Sequence, residues 1–241
     1  MAITAERGYL IPAWGATYLT CAERLRDSIL EWHPDANITI MTDLPYGDQG
    51  GYANDWQVFG ASPYRQTIKL EADMWCASPI DHWWTLFENR DVVISCGARD
   101  YYDRVTAVRH YRQVFDANDL PDVYNAITYW RLSPGAQKFF GLVREIFSNW
   151  HDYRRLLRFS EDQPSTDVVY AMVAVILGVD QVTLPPGLGP TIVHMKSHIA
   201  GTQHPDWTQD LIWEFTDPGL RINTVAQWGL VHYHHKDWLC R

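Results

Sequence analysis

The chain has no closely spaced pair of cysteines. Its four, Cys21, Cys76, Cys96 and Cys240, are scattered over 241 residues. Without a C-x-x-C there is neither a zinc ribbon nor a redox pair, and a reduced cytoplasmic enzyme is the expectation. Long apolar runs are also missing. The longest, around Val168–Val179, is too short to span a bilayer, and Met1–Gly8 is polar and charged, with no apolar stretch of the signal-peptide kind. No membrane segment is expected. Positive charge is scarce, 20 Lys and Arg against 29 Asp and Glu, for a formal net charge of −9. That balance argues against a broad electrostatic footprint for nucleic acid. The two basic clusters, Arg109–Arg112 and Tyr153–Arg158, read as solvated helix faces rather than as a binding stripe.

Aromatics are abundant, with 12 Trp and 13 Tyr. Their faces stack on flat or CH-rich ligands such as nucleobases and sugars, although most large aromatics are simply buried in a core or in a homodimer surface. Hydrophobic residues make up 46% and charged residues 20% of the chain, ordinary for a globular protein with a sizeable core. The length suits one large domain.

The order of elements predicts an α/β fold. Tyr9–Ala13 reads as a strand, and Tyr18–Trp32 carries Leu19, Ala22, Leu25, Ile29 and Leu30 at helical spacing. His33-Pro34-Asp35 breaks that helix, and Ile38–Met41 is a second strand. A βαβ start implies a parallel sheet with ligands at the carboxyl ends of its strands. Tyr46–Ser62, rich in Gly, Asn and Asp, is expected to be a surface loop. Thr67–Leu70 is a third strand, Asp81–Glu88 a helix, Val92–Ser95 a fourth strand and Val123–Leu132 a further one. Ser133-Pro134 starts a helix through Trp150 with proline in its first turn. Ser165 or Thr166 can cap a helix that Gly178 ends. Pro185–Pro190 is a loop, and Thr191–Met195 and Gly229–Tyr233 are strand-like, each carrying a histidine. Trp83 and Trp84 are expected in the core.

The third strand stops at Glu71-Ala72-Asp73. Residues i and i+2 of a strand share a face, so the two carboxylates can converge beyond the sheet edge. Such a pair suits a hard divalent cation carrying a phosphorylated ligand, but alone an E-x-D is a cheap motif in an acidic chain. The series around it is more specific. Tyr9–Ser28 resembles the opening strand and helix of GT-A nucleotide-sugar glycosyltransferases of the glycogenin-like and galactosyltransferase-like group. Ser62–Asp73 resembles that group's P-Y-x-x-T-L-Y-L-D-A-D. Tyr124-Asn125-Ala126 resembles its F-N-S-G strand, Asp162-Gln163-Pro164 its D-Q-P helix start, and His232–Trp238 its terminal H-x-x-G-x-K-P-W. The chain departs from the pattern at Glu71 (for Asp), Lys69 (for Tyr), Ile127 (for Gly) and in the terminal motif, which lacks its Gly and Pro.

The resemblance implies a GT-A, Rossmann-like, mixed and mostly parallel sheet flanked by helices in one domain over 1–241. Residues 1–100 would form the nucleotide-sugar half, and 101–241 the acceptor half with the metal and diphosphate motif. It implies a sugar donor that is a nucleoside diphosphate, UDP foremost, and Mn²⁺ or Mg²⁺ as cofactor. The cation neutralises the leaving diphosphate as a Lewis acid. By the same resemblance Asp73 and His232 are metal ligands, with Glu71 binding through water or contacting the ribose. Lys236 pairs with the diphosphate as a point charge, and Pro12, Ala13, Tyr18 and Asp43 lie near the donor base. His194, followed closely by Lys196, competes with His232 for the ligand role, and His234 and His235 compete by a register error. Asn125 would hydrogen-bond the sugar or acceptor. Asp162 or Asp167, five apart at a helix start, would orient the acceptor hydroxyl or stabilise an oxocarbenium-like centre; a carboxylate there also suits the helix dipole. The acceptor stays open among protein, glycan, metabolite and, less favoured by the acidic charge, a hydroxylated base in DNA. Retention of the anomeric configuration is implied by the glycogenin-like group alone. A nucleotidyltransferase-type sugar-phosphate enzyme and an inactive GT-A-like binding module are the competing readings. The first normally shows a Gly-rich basic loop after the first strand, which Trp14–Tyr18 lacks.

Overall fold

A computed structural model describes residues 2–43, 55–105, 112–157, 159–160, 162–185, 187–190, 192–196 and 206–240. Strand β1 (Ala5–Pro12) is followed by helix α1 (Gly15–Trp32) and strand β2 (Ile38–Met41). This is the βαβ opening that the apolar spacing predicts. Tyr46–Asn54 of the expected loop lies outside the described residues, and the rest of it is not all loop. Val58–Ala61 forms a short helix, α2, before β3 (Tyr64–Leu70). Next come β4 (Met74–Cys76), α3 (His82–Phe87), β5 (Val92–Cys96), β6 (Ala98–Arg99) and α4 (Gln113–Ala117). The long strand β7 (Val123–Arg131) leads into α5 (Pro134–Ser148), α6 (Trp150–Leu157), α7 (Thr166–Leu177) and α8 (Val179–Val182). The last strands are β8 (Ile192–His194), β9 (Trp213–Phe215), β10 (Leu220–Ile222), β11 (Val225–Ala226) and β12 (Leu230–His232). Cys21, Cys76 and Cys96 form no disulfide among the described residues.

The central sheet has the order β2-β1-β3-β7-β5. Strand β1 is parallel to β2 and to β3, while β7 runs antiparallel to both β3 and β5. The sheet is therefore mixed, with four of its five strands running the same way and β7 reversed, in keeping with the expected mixed, mostly parallel sheet. Side chains alternate across it because successive Cβ atoms point to opposite faces. Tyr9 and Ile11 join one buried cluster with α1 and the second sheet, whereas Leu10 joins the other with α5 and α7. Helix α5 buries Ala136, Phe139, Phe140, Val143 and Ile146, a stripe at helical spacing. Each large apolar side chain of this kind contributes about 1.5–3 kcal/mol on burial. Trp83 and Trp84 are in the core.

Helix starts follow local chemistry. Ser133 Oγ accepts the Ala136 N–H at 3.1 Å with Pro134 in the first turn, and Ser165 Oγ accepts the Val168 N–H at 3.2 Å. Each satisfies one of the donors that a helix N-terminus leaves open. Gly178 ends α7 with φ 96°, a conformation that favours glycine.

A second, four-stranded sheet has the order β4-β12-β8-β6. Strand β12 is antiparallel to β4, with His232 opposite Met74, and parallel to β8, with His232 opposite His194. This sheet brings the C-terminal histidines to the end of β3. A small antiparallel sheet has the order β11-β10-β9, and the centre of its Phe215 ring lies 4.6 Å from that of Trp75 on β4.

After α1, His33 Nε2 accepts the Ile80 N–H at 3.0 Å. Burial foremost lowers the pKa of His33 below its ordinary 6.5, with Asp81 opposing and His82 adding to the fall. A group whose folded pKa is depressed stabilises the fold above its unfolded pKa, and that stabilisation fades as pH falls. Glutamine at position 33 offers a carbonyl acceptor that does not titrate. The melting temperature of wild type relative to H33Q should therefore drop between pH 7.5 and pH 5.5, by the equivalent of about 1 kcal/mol, the net worth of one such hydrogen bond. A difference that is flat across this range would refute the assignment.

Candidate active site

The carboxyl ends of β1 and β3, the start of β7, the N-terminus of α7 and the ends of β8 and β12 surround a cleft of about 540 Å³. Sheet topology explains its position. The Glu71 N–H donates to Ala126 O at 3.1 Å, holding the end of β3 against β7. Next to it, the Tyr233 N–H donates to Asp73 O at 3.1 Å, holding the acidic turn against the end of β12.

Glu71, Asp73 and His232 meet on the cleft floor. His232 Nε2 is 3.1 Å from Asp73 Oδ2 and 3.4 Å from Glu71 Oε2. The Lys236 ammonium donates a hydrogen bond to the same Asp73 oxygen and lies 5.3 Å from the centre of the Tyr18 ring. Asp73 keeps 6% of its side-chain exposure and Glu71 27%. Burial would raise the pKa of Asp73, but the charge and hydrogen bond of His232, with Lys236, hold it well below the carboxylate range. Burial alone would discharge His232, and Asp73 ahead of Glu71 raises its pKa instead. Burial raises that of Glu71, against the pull of His232. Lys236 is likewise raised, with Asp73 outweighing burial. The floor is thus a carboxylate pair whose charge is met by a histidine and a lysine.

The donor set fits a divalent cation. An octahedral ion with ligands at about 2.1 Å sets adjacent donors about 3 Å apart, which is the spacing from His232 to the two carboxylate oxygens. One ligand atom from each of the three side chains lies within 4.8 Å of the others.

The opposite wall belongs to Asp167, Arg112, Tyr124 and Asn125. Asp167 Oδ1 accepts the Asn125 N–H at 2.8 Å, and its Oδ2 lies 3.3 Å from Arg112 Nη2. Arg112 also pairs with Asp122 and lies 4.1 Å from the centre of the Tyr124 ring. The Tyr124 hydroxyl and Thr166 Oγ1 are buried at this wall without a hydrogen-bond partner among the described residues. Deeper in, Lys69 Nζ lies 2.9 Å from Asp55 Oδ1 and donates to Asn125 O at 3.2 Å, while the Tyr170 hydroxyl donates to Asp55 Oδ2 at 2.7 Å.

Of the residues named from sequence, Pro12, Tyr18, Glu71, Asp73, Asn125, Asp167, His194, His232, His234 and Lys236 line this one cleft. Ala13 is buried beside it, its N–H donating to Met41 O at 2.9 Å. Asp43 is exposed beyond β2 and does not reach the lining. Asp162 is in the turn before α7, its side chain 89% exposed and paired with Arg154. His235 points away, 3.3 Å from Asp206. Sequence reasoning missed Asp55 and Arg112. The expectation that Arg109–Arg112 is a solvated face fails at Arg112, whose side chain is 7% exposed and whose charge is met by Asp122 and Asp167; Arg109–Tyr111 lie outside the described residues. One signal was available: Asp122 and Asp167 flank the strand and helix that were already assigned to the site.

No family model and no curated protein matches the chain. Solved structures do. Mouse xyloside xylosyltransferase 1 in its apo form superposes with a TM-score of 0.52 at 11% identity, over 95% of this chain and 97% of that one. The galactosyltransferase LgtC, in complex with donor and acceptor sugar analogues, superposes with a TM-score of 0.51 at 12% identity, over 94% and 86%. Similarity at this level of identity speaks to architecture alone. The strand order, the acidic turn after β3 and the whole-chain superpositions together identify the architecture of this chain as the GT-A fold of glycosyltransferases.

Proposed function

We propose that the protein transfers a sugar from a nucleoside-diphosphate sugar, a UDP-sugar foremost, to a hydroxyl acceptor with the help of Mn²⁺ or Mg²⁺. One observation carries the reading: Glu71, Asp73, His232 and Lys236 converge on the floor of a cleft at the carboxyl ends of parallel strands. Ligands of open α/β sheets bind at such an edge. The fold's relatives add support, since the neighbours just named are a xylosyltransferase and a galactosyltransferase.

Asp73, His232 and Glu71 would hold the cation, which supplies Lewis-acid neutralisation of the departing diphosphate. Lys236 adds a second positive charge on the same side, and Tyr18 limits where its ammonium can go. Donor binding falls mainly to residues 1–100 and the acceptor side to 101–241, in a single domain. On the acceptor side Asp167 is fixed by two partners, the Asn125 N–H and Arg112. A carboxylate held in this way stays oriented without spending motion on each turnover. It would orient the acceptor hydroxyl or meet positive charge developing at the sugar. Asp167 suits that role better than Asp162, whose side chain points into solvent. Trp14 and Tyr18 line the donor side of the cleft, where flat rings stack on bases and sugars.

The test is donor hydrolysis. Incubation with a panel of nucleotide sugars and Mn²⁺ should release nucleoside diphosphate from at least one donor, and a chelator should stop it. Failure to bind or turn over any donor, with D73A indistinguishable from wild type, would remove this reading.

A further inference from the structure

Three imidazoles stand together at the inner end of the cleft. His194 is opposite His232 in the parallel register of β8 and β12, so their side chains share one face. Two residues further on, His234 turns its ring back over the same spot. His234 Nε2 is 3.2 and 3.3 Å from the two ring nitrogens of His194. The His232 ring centre is 4.0 Å from that of His234 and 5.1 Å from that of His194. One nitrogen from each ring lies within 4.8 Å of the others.

Two features mark this as more than aromatic packing. The backbone of His234 has φ 57°, a left-handed conformation that is costly for a residue with a side chain and that clusters at functional sites. It is what aims the third imidazole inward. In addition, His232 Nδ1 is buried with no hydrogen-bond partner among the described residues, and buried ring nitrogens are ordinarily satisfied.

We propose that His194, His232 and His234 form a second cation site, selective for a borderline transition ion such as Zn²⁺, and that it shares His232 with the Glu71–Asp73 group. The chemistry follows from the donors. Tetrahedral zinc with Zn–N bonds of about 2.0–2.1 Å sets its nitrogen ligands about 3.3 Å apart, the separation already present between His194 and His234. Rotation of the stacked His232 and His234 rings brings in the third nitrogen, and the open cleft leaves the fourth position to water. Imidazoles favour zinc, cobalt and nickel, whereas the carboxylates beside them favour manganese and magnesium. Lys196 and Lys236 oppose a second cation by charge, but Asp73 engages Lys236 and offsets it. Because His232 belongs to both sets, an ion on the three histidines withdraws it from the carboxylates, and zinc acts as an antagonist of Mn²⁺. That last consequence rests on the proposed function; the three-histidine site does not.

The test uses the full chain without nucleotide. Calorimetric titration with Zn²⁺ should show one ion per chain, and Co²⁺ should give the intense visible absorption of a tetrahedral nitrogen-ligated site. H194Q and H234Q should each lower zinc affinity by at least about tenfold, the scale seen when a metal site loses even an outer partner. They should leave Mn²⁺ binding in place, whereas E71Q should weaken Mn²⁺ and keep zinc. Saturating zinc should lower Mn²⁺ affinity. Zinc affinity unchanged in H194Q and H234Q, zinc lost with E71Q instead, or no tetrahedral Co²⁺ signal in wild type would each overturn the site. Independent binding of the two ions would overturn the sharing of His232. If wild type binds zinc but neither Mn²⁺ nor Mg²⁺, the proposed function fails and the histidine site stands.

Discussion

The D73N substitution is expected to lower donor turnover by about 10³-fold, the scale of removing a preorganised electrostatic group from an active site. Among the described residues Asp73 is the one carboxylate in contact with both positive partners of the floor, accepting from Lys236 and lying 3.1 Å from His232. The amide that replaces it keeps the shape and loses the charge. His232 then loses the largest contribution that holds its proton, and under the proposed function the cation would lose an anionic ligand. Glu71 cannot substitute, because it reaches His232 only at 3.4 Å and is more exposed. E71Q should accordingly cost less than D73N. Unfolding is not the reason for the loss: Lys236 is 26% exposed and can turn to water, so the stability cost should stay within the roughly 1–3 kcal/mol of one broken charged hydrogen bond. Turnover of the preferred donor at saturating Mn²⁺, with a thermal melt on the same sample, checks both statements. Activity within about threefold of wild type would show that the floor does not do the chemistry assigned to it.

Local patterns made much of this architecture legible. Apolar spacing marked α1, Ser133-Pro134 and Ser165 marked the starts of α5 and α7, and β2 falls at Ile38–Met41 as read. The acidic doublet was visible as an i, i+2 pair at a strand end. What the pattern could not show is β4. Met74–Cys76 is only three residues long, too short for alternation to register, yet its antiparallel pairing with β12 sets His232 opposite Met74, next to Asp73. That contact joins two distant parts of the sequence, and nothing local encodes it.

Charge misled for a similar reason. Arg112 has the composition of a surface residue, and only the fold supplies Asp122 and Asp167 to meet it in the interior. The ambiguity between Asp162 and Asp167 was one of helix boundary. With Ser165 as the cap, Asp167 falls in the first turn of α7 facing the cleft, and Asp162 remains in the preceding turn. Lys69, noted in the sequence only as a departure from the family's Tyr, belongs to an ion pair whose partner, Asp55, was assigned to a surface loop.

That pair carries the largest expected effect on stability. Lys69 is on β3 with 3% of its side chain exposed, and Asp55 keeps 13%. In D55A the ammonium stays inside with the neutral Asn125 O as an acceptor, and the Tyr170 hydroxyl loses the carboxylate it donates to. Breaking one side of a buried pair costs about 3–5 kcal/mol, because an uncompensated charge remains. For a domain of this size each kcal/mol lowers the melting temperature by about 2–4 °C, so D55A should melt roughly 10 °C below wild type. K69M should cost less, since Asp55 is nearer to water and keeps its bond from Tyr170. The double variant D55L/K69M separates charge from packing. Replacing both members of a buried pair by apolar residues of similar volume is often neutral, so the double variant should recover most of the stability that D55A loses. A D55A shift under about 2 °C, or a double variant no more stable than D55A, would mean that packing around β3 and α7, and not the paired charge, holds this part of the cleft.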